Sequence, residues 1–330
     1  MAKKKILALP EGDIFLKRDV EILKNHFDIR TAPTFNRKKP VSSIPSILKI
    51  LKGTLWADLT FSHFADTHAF LAVLFSKIFR KKSIVIVGGY EVARVPEIEY
   101  GAMLNPIYAW VVRFVLNHAD KLFAVSEFNK KEILKYTRNK NVKVVYGSNI
   151  IDCDKFSPSG QKENLVITVG FVKQGTIKRK GFETFIKVAR HLPKVEFALV
   201  GNCSDNSVES LKSIAPSNVA FKDGKAPLEW YQRAKVYCQL SYYESFGVAL
   251  AEAMACECVP VVTNKGALAE VAGDVGFYVP YGDPEATAEA IEKALDCSKG
   301  KEARERIKRM FSRESGEREL IMEIQGLLKA

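Results

Sequence analysis

Two glutamates, Glu244 and Glu252, stand eight positions apart in the stretch Ser241–Pro260, SYYESFGVALAEAMACECVP. Between them lie a turn with Gly247 and the start of a helix. Eight residues of helix make a little over two turns, so the second carboxylate points to the same side as the turn that holds the first. The helix start leaves the amides of Phe246, Gly247 and Val248 without intrahelical acceptors. They sit at the positive end of the helix dipole, where an anion is favoured. Carboxylates accept hydrogen bonds from hydroxyls. Two of them beside a seat for a diphosphate imply a pocket for a nucleotide-sugar.

The surrounding chain reads as alternating strands and helices. Lys4–Leu9 is a buried strand, followed by the turn Pro10–Asp13 with Gly12, and then a helix to about Asn25. Strands are expected at Phe27–Thr31, Trp56–Phe61, Ser83–Val87, Lys121–Val125 and Val142–Tyr146, with helices at Ser46–Lys52, Asp66–Phe79, Ile107–His118 and Glu127–Tyr136. Ser83–Val87 (SIVIV) is apolar throughout, as in a parallel sheet covered on both faces. The alternation restarts with strands at Leu165–Val169, Phe197–Val200, Val219–Phe221, Val236–Leu240, Val259–Thr263 and Gly276–Val279. The helices between and after them fall at Phe182–His191, Glu209–Ile214, Leu228–Ala234, Ala267–Ala272 and Pro284–Leu295, and Arg313–Leu328 closes the chain. This is a doubly wound α/β pattern written twice. The boundary is expected near residue 150: a first domain over 1–150, a second over 151–312, and a last helix over about 313–330 that returns to the first.

Length and composition agree. At 330 residues with 47% hydrophobic side chains, the chain has room for two globular domains. The apolar run Ile6–Leu9 ends at Pro10, too short for a signal peptide, and no stretch reaches membrane-spanning length. A cytoplasmic protein is expected. The six cysteines are scattered, with no C-x-x-C pair, and read as free thiols in a reducing compartment rather than a zinc site. The net charge of +12 is lopsided. Residues 1–155 hold 26 Lys and Arg against 15 Asp and Glu, and residues 156–330 hold 24 against 23. The excess concentrates in Arg37-Lys38-Lys39, Arg80-Lys81-Lys82, Lys130-Lys131 and the N-terminal lysines. It suits a solvated face or, equally, a domain that meets an anionic surface such as acidic lipid headgroups or nucleic acid.

In this order the motifs resemble glycosyltransferase family 4, retaining enzymes of the GT-B fold. Asn149-Ile150-Ile151-Asp152 with Phe156 and Pro158 resembles the family's hinge. Val169-Gly170 with Lys180-Gly181, and Leu199-Val200-Gly201, resemble its strand-end turns. Glu244-Ser245-Phe246-Gly247 through Glu252-Ala253-Met254-Ala255 is similar to its E-x7-E core, and Phe311-Ser312 with Glu314 to the start of its closing helix. The resemblance is strong over about 140–320. It implies two Rossmann-like domains facing each other across a cleft, the donor in the second and the acceptor in the first. It assigns donor-sugar hydroxyls to Glu244, ribose hydroxyls to Glu252, and sugar and diphosphate oxygens to the amides around Ser245, Phe246, Gly247 and Val248. Lys180 would neutralise the leaving diphosphate, with Gly170 and Gly12 in turns that approach it. No cofactor beyond the nucleotide-sugar co-substrate is implied, and no metal.

Three positions depart from the family pattern. Phe171 stands where the family has an arginine for the phosphate, inside what reads as an expanded loop over Val172–Arg179, where Lys173, Lys178 or Arg179 could substitute. Glu257 replaces a glycine. After the fourth strand, Gly88-Gly89-Tyr90-Glu91 replaces a histidine that reaches the donor sugar, leaving His63 and His68 as candidates on that side. The expectation is therefore sugar transfer with retention to a glycan, lipid or small-molecule acceptor. The alternative is a sugar-nucleotide epimerase, a phosphorylase or a non-catalytic relative on the same fold. Nucleic acid is not an expected partner, since no basic motif interleaved with aromatics is present.

Overall fold

The computed structural model describes residues 3–34, 43–224 and 226–329. The basic triplet Arg37-Lys38-Lys39 lies outside the described residues. The chain divides into two compact units: residues 1–150 with 314–330, and residues 151–313.

The first unit holds β1 (Lys5–Leu9), α1 (Ile14–Leu23), β2 (Asp28–Thr31), α2 (Ile44–Trp56), β3 (Leu59–His63), α3 (Thr67–Ile78), β4 (Lys82–Val87), α4 (Pro106–His118), β5 (Lys121–Ala124), α5 (Glu127–Leu134) and β6 (Val142–Val144). The six strands are parallel in the order β2-β1-β3-β4-β5-β6. Parallel neighbours need crossovers, and the helices supply them. β3 is buried along its whole length, and β4 beyond its first residue, so the sheet centre reads as unbroken apolar runs. The helices start where the chain offers caps. Asp13 accepts from the Leu16 amide, and Asn105 accepts from the amides of Ile107 and Tyr108 ahead of Pro106.

The second unit holds β7 (Glu163–Val169), α6 (Gln174–Lys180), α7 (Phe182–Val188), β8 (Glu196–Val200), α8 (Ser207–Ile214), β9 (Val219–Lys222), α9 (Pro227–Arg233), β10 (Ala234–Gln239), α10 (Val248–Ala255), β11 (Val259–Thr263), α11 (Leu268–Ala272), β12 (Phe277–Val279), α12 (Pro284–Asp296) and α13 (Gly300–Phe311). Its strands are also all parallel, in the order β12-β11-β10-β7-β8-β9. One aliphatic and aromatic core joins Phe182, Phe185, Phe197 and Leu199 to Val236, Val261 and Ile291. Two expectations change here. The stretch read as a loop over Val172–Arg179 is mostly the helix α6. The helix α13 has no counterpart in the sequence reading.

The last helix, α14 (Arg313–Lys329), lies in the first unit from Glu314 onward. Glu323 pairs there with both Lys121 and Lys143. Gly316 permits the close approach, because a Cβ on it would lie 2.1 Å from Cγ2 of Ile150.

All six cysteines are free; Cys238, Cys256 and Cys258 are buried and Cys203 is exposed. Burial pushes the Cys258 thiol up to about 11 and the Cys256 thiol up to about 12, so both stay protonated near neutrality.

Candidate active site

β10, β7 and β8 are neighbours in one parallel sheet, so the turns after them share its C-terminal edge. Those turns carry Glu244, Gly170 and Gly201. The C-terminal edge of an open parallel sheet is where such folds hold ligands.

Glu244 is held on that edge by several donors. Its Oε2 accepts from Lys180 Nζ at 2.6 Å, Gln239 Nε2 at 2.9 Å and Ser241 Oγ at 3.4 Å. The Arg179 guanidinium lies 3.8 Å away. Burial alone raises the Glu244 carboxyl. The ammonium of Lys180 and the guanidinium of Arg179, with the bonds from Lys180 and Gln239, outweigh it and hold the carboxyl below its ordinary value.

Backbone contacts fix this cluster. Tyr242 N–H donates to the Arg179 carbonyl at 2.8 Å, and the Tyr281 hydroxyl to the Lys178 carbonyl at 2.6 Å. Gly181 lies between α6 and α7 at φ +67°, and a Cβ there would be 2.1 Å from the Leu240 carbonyl oxygen. The α6–α7 junction is thus pressed against the exit of β10, which carries Arg179 and Lys180 to Glu244. From the other side, Ala267 N–H donates to the Glu244 carbonyl at 2.9 Å, while a Cβ on Gly266 would approach that oxygen to 2.2 Å.

Gly247 precedes α10 at φ +103°, the left-handed region glycine favours. The next two amides, of Val248 and Ala249, fall in the first turn of α10 and have no acceptor within the helix. Ser245 and Phe246 are buried, and the Phe246 ring meets Phe311 edge-on at 5.2 Å. Their side chains hold the turn down and its backbone is what remains for a ligand. Glu252, on α10, accepts from the buried Tyr231 hydroxyl at 3.3 Å. Burial first, then the nearby Tyr237 and Glu252, push that phenol well up, so it remains a donor. Gly170 and Gly201 pack so closely that a Cβ on Gly201 would lie 1.9 Å from the Gly170 carbonyl oxygen.

Of the three candidates for the absent arginine, Arg179 is the one beside Glu244; Lys173 instead lies 5.9 Å from the ring of Phe171. Gln239 was missed by sequence reasoning, and the signal for it was an amide directly after the buried run Val236–Cys238. A cavity of about 630 Å³ past β8 and β9, lined by Gly201, Asn202, Cys203 and Lys212, carried no sequence signal.

Gly12 and His63 belong to the first unit. Gly12 follows β1 at φ +93° with open space beside it. His63 ends β3 almost fully buried, with Nε2 2.8 Å from Asp19 and Nδ1 4.0 Å from Asp13. Its two nitrogens face carboxylates of α1 and of the cap before it, a geometry that ties α1 to β3. The neighbouring His68 is pulled down by burial and bonds the His63 carbonyl at 2.6 Å. Among the described residues, no group of three or more His, Cys, Asp or Glu is placed to hold a metal ion.

Two Rossmann-like units with this strand order define the GT-B fold. Sucrose-phosphate synthase from Thermosynechococcus elongatus superposes with TM-score 0.80 at 18% identity, covering 99% of this chain and 100% of that one. Anabaena HepE, solved in complex with UDP-glucose, superposes with TM-score 0.80 at 15% identity, covering 98% and 100%. Residues 153–310, nearly the whole second unit, match the family model described as Glycosyl transferases group 1. Among curated relatives, the capsular polysaccharide biosynthesis glycosyltransferase CapM of Staphylococcus aureus is 28% identical over 225 residues, 59% of this chain and 58% of the relative. The alpha-galactosylglucosyldiacylglycerol synthase of Streptococcus pneumoniae is 27% identical over 293 residues, 80% of this chain and 75% of the relative.

Proposed function

We propose that the chain is a retaining glycosyltransferase that moves a sugar from a UDP-sugar to a lipid or polysaccharide acceptor. The observation that carries the reading is the cluster of Glu244, Lys180 and Arg179 on the C-terminal edge of the second sheet. The match of the second unit to the family model supports the activity. The UDP-glucose of HepE and the acceptors in the relatives' names support the donor and acceptor classes.

On this reading the donor lies across three neighbouring strand ends. Glu252 takes the ribose hydroxyls and Glu244 those of the sugar. The diphosphate rests on the amides at the start of α10, beside Gly170, whose lack of a side chain leaves the backbone open. The base turns toward the cavity past Gly201. The bond from the anomeric carbon to the phosphate oxygen breaks with its electron pair on that oxygen. The acceptor oxygen attacks from the same face, and its proton passes to the departing phosphate. Lys180 and Arg179 stabilise the charge that develops there, as preformed cations in a partly buried site do. Arg179 takes the part of the arginine that Phe171 displaces. Gly12, in a turn of the first unit with open space beside it, is offered to a phosphate, and His63 of the same unit to the sugar.

Among the described residues no helix is long and apolar enough to cross a membrane. Arg80, Lys81, Lys82, Lys130 and Lys131 give the first unit a basic surface suited to anionic lipid. The test is release of UDP from a panel of UDP-sugars, with and without diacylglycerol vesicles or a capsular polysaccharide. Acceptor-dependent release by the native chain, abolished by joint replacement Glu244→Ala and Lys180→Ala, is expected. Unchanged release by the double variant sinks the site. Release without any acceptor favours a different reaction on the same fold.

A further inference from the structure

The segment Gly88-Gly89-Tyr90-Glu91, where the family pattern has a histidine, builds something else. Glu91 turns back into the protein and is almost fully buried. Its Oε1 accepts from the amides of Ala65 and Gly88, both at 3.0 Å, and its Oε2 from the amide of Gly89 at 2.8 Å. One carboxylate thus clips the exit of β3 to the exit of β4. The clip holds Phe64 at φ +64°, a left-handed conformation that a bulky side chain rarely adopts. The Phe64 ring passes so close to Gly88 that a Cβ there would lie 2.5 Å from it. On the far side, Ala102 N–H donates to the Tyr90 carbonyl at 2.9 Å, and Gly101 sits at φ +117°, where a Cβ would be 2.0 Å from the Ala93 carbonyl oxygen.

These devices enclose a cavity of about 150 Å³ whose walls include Phe64, Ala65, Tyr90, Ala102, Tyr108 and Val112. Asp66 and Glu91 also reach it, but both Glu91 oxygens are spent on amides, and Asp66 Oδ1 accepts from the amide and hydroxyl of Thr67. A sugar ring needs polar partners for each hydroxyl it buries, and these walls have little to offer. A hydrocarbon chain needs none. The helix that supplies Tyr108 and Val112 also exposes Ile107 (76%) and Trp110 (61%), with Leu104 just before it. Arg94 and Arg113 are exposed within the same stretch. Apolar and aromatic side chains flanked by arginines suit the tail and anionic headgroup of a lipid.

We infer that this cavity receives the end of a hydrocarbon chain, acyl or prenyl, of an anionic lipid acceptor. The inference rests on the transferase reading and narrows its acceptor to the lipid class. Gly88, Tyr90 and Glu91 are then specificity residues: Tyr90 touches the chain, while Glu91 and Gly88 position Phe64.

The probe is dihexanoyl-phosphatidylglycerol below its micelle concentration, titrated calorimetrically into the full chain. Saturable binding is expected. Replacing it with the dibutanoyl analogue should weaken binding more than about tenfold, at about fourfold per methylene withdrawn from water. Ala102→Leu fills the cavity and should abolish binding. Tyr90→Ala, a half-exposed position where loss of fold is not at issue, should weaken it at least about tenfold. A UDP-induced thermal shift, measured on each protein, should be unchanged in both variants. No binding by the native chain, equal binding by both variants, or binding of methyl α-glucoside that Ala102→Leu blocks would each overturn the proposal. Failure of the UDP shift in the native chain strikes the donor reading instead.

Discussion

Lys180→Met separates what the ammonium does for the fold from what it does for the reaction. Methionine keeps the unbranched, apolar stem of the lysine at similar length and removes the charge 2.6 Å from Glu244 Oε2. At an effective dielectric near 20, the direct attraction across that distance is roughly 6 kcal/mol. Both side chains are only 16% exposed, so much of this is offset by the cost of desolvating them. Arg179, at 3.8 Å, still faces the orphaned carboxylate. The net loss near neutrality is therefore about 2 kcal/mol, the range for a bond to a charged group, or roughly 4–8 °C for a unit of this size.

The sign with pH follows from the direction of the shift. In the native chain the Glu244 carboxyl is held below its ordinary value, because the two cations outweigh burial. Its contribution to stability is fully present above the ordinary carboxylate range and is lost as pH falls through the lowered value. In Lys180→Met burial counts for more, so the carboxylate is a liability near neutrality that protonation relieves. The melting temperatures of the two proteins should converge as the pH approaches about 4. Adding Glu244→Gln to Lys180→Met removes the buried charge and should recover part of the loss at neutral pH. Melting curves of the three proteins at the two pH values check this. A pH-independent gap, or a double variant no more stable than the single, refutes the assignment of Glu244 as a carboxylate held by its cations. On the proposed reaction the single variant also loses about 10²–10³ in kcat, the usual cost of one group that stabilises developing charge.

Two more outcomes follow from the same edge. Gly266→Ala places a methyl 2.2 Å from the Glu244 carbonyl oxygen at φ +62°. It should lower the melting temperature by several degrees and raise KM for the UDP-sugar. A KM at the native value would show that this turn is not what aims Glu244. Cys203 is the exposed cysteine and lines the cavity past β8, with Cys238, Cys256 and Cys258 buried elsewhere. Maleimide should modify Cys203 first, and saturating UDP should slow that reaction. Mass spectrometry of the labelled peptide checks both, and labelling that UDP leaves unaffected places the base elsewhere.

The sheet edges were legible because parallel strands announce themselves. SIVIV at Ser83–Val87 and VYCQ within β10 admit no other reading once the turns between them are counted. The residues 172–179 were not. They carry Gly175 and three cations in eight positions, which argue against a helix locally. α6 forms because Thr176 bonds back to the carbonyls of Phe171 and Lys173, and because Gly181 gives it a left-handed end. α13 was missed for the opposite reason. Its sequence, GKEARERIKRMF, is so charged that its three buried side chains, Ala303, Ile307 and Phe311, show as a stripe only when placed on a helix. The carboxylate pair was readable from spacing. That Glu244 would be met by Arg179 and Lys180 was not, because the contact depends on a glycine pressed against a carbonyl 59 residues away.

The ion pair also bears on the order of events at the site. Glu244 is engaged on Oε2 by Lys180, Gln239 and Ser241. Those bonds leave Oε1 to accept sugar hydroxyls but hold Oε2, and Lys180 so placed has its charge neutralised. On the proposed reading, an arriving diphosphate competes for Lys180 and Arg179 with two negative charges against one. As the cations turn toward it, the freed oxygen accepts hydroxyls from the sugar. Donor affinity then depends on both halves together. UDP alone pulls the cations away and leaves Glu244 partly buried without compensation, whereas UDP-sugar supplies the replacement bonds. Glu244→Gln, which has no charge to strand, should therefore bind UDP at least as well as the native chain while binding UDP-sugar more weakly. Parallel calorimetric titrations with the two ligands decide it, and equal losses for both would mean that Glu244 senses the nucleotide rather than the sugar.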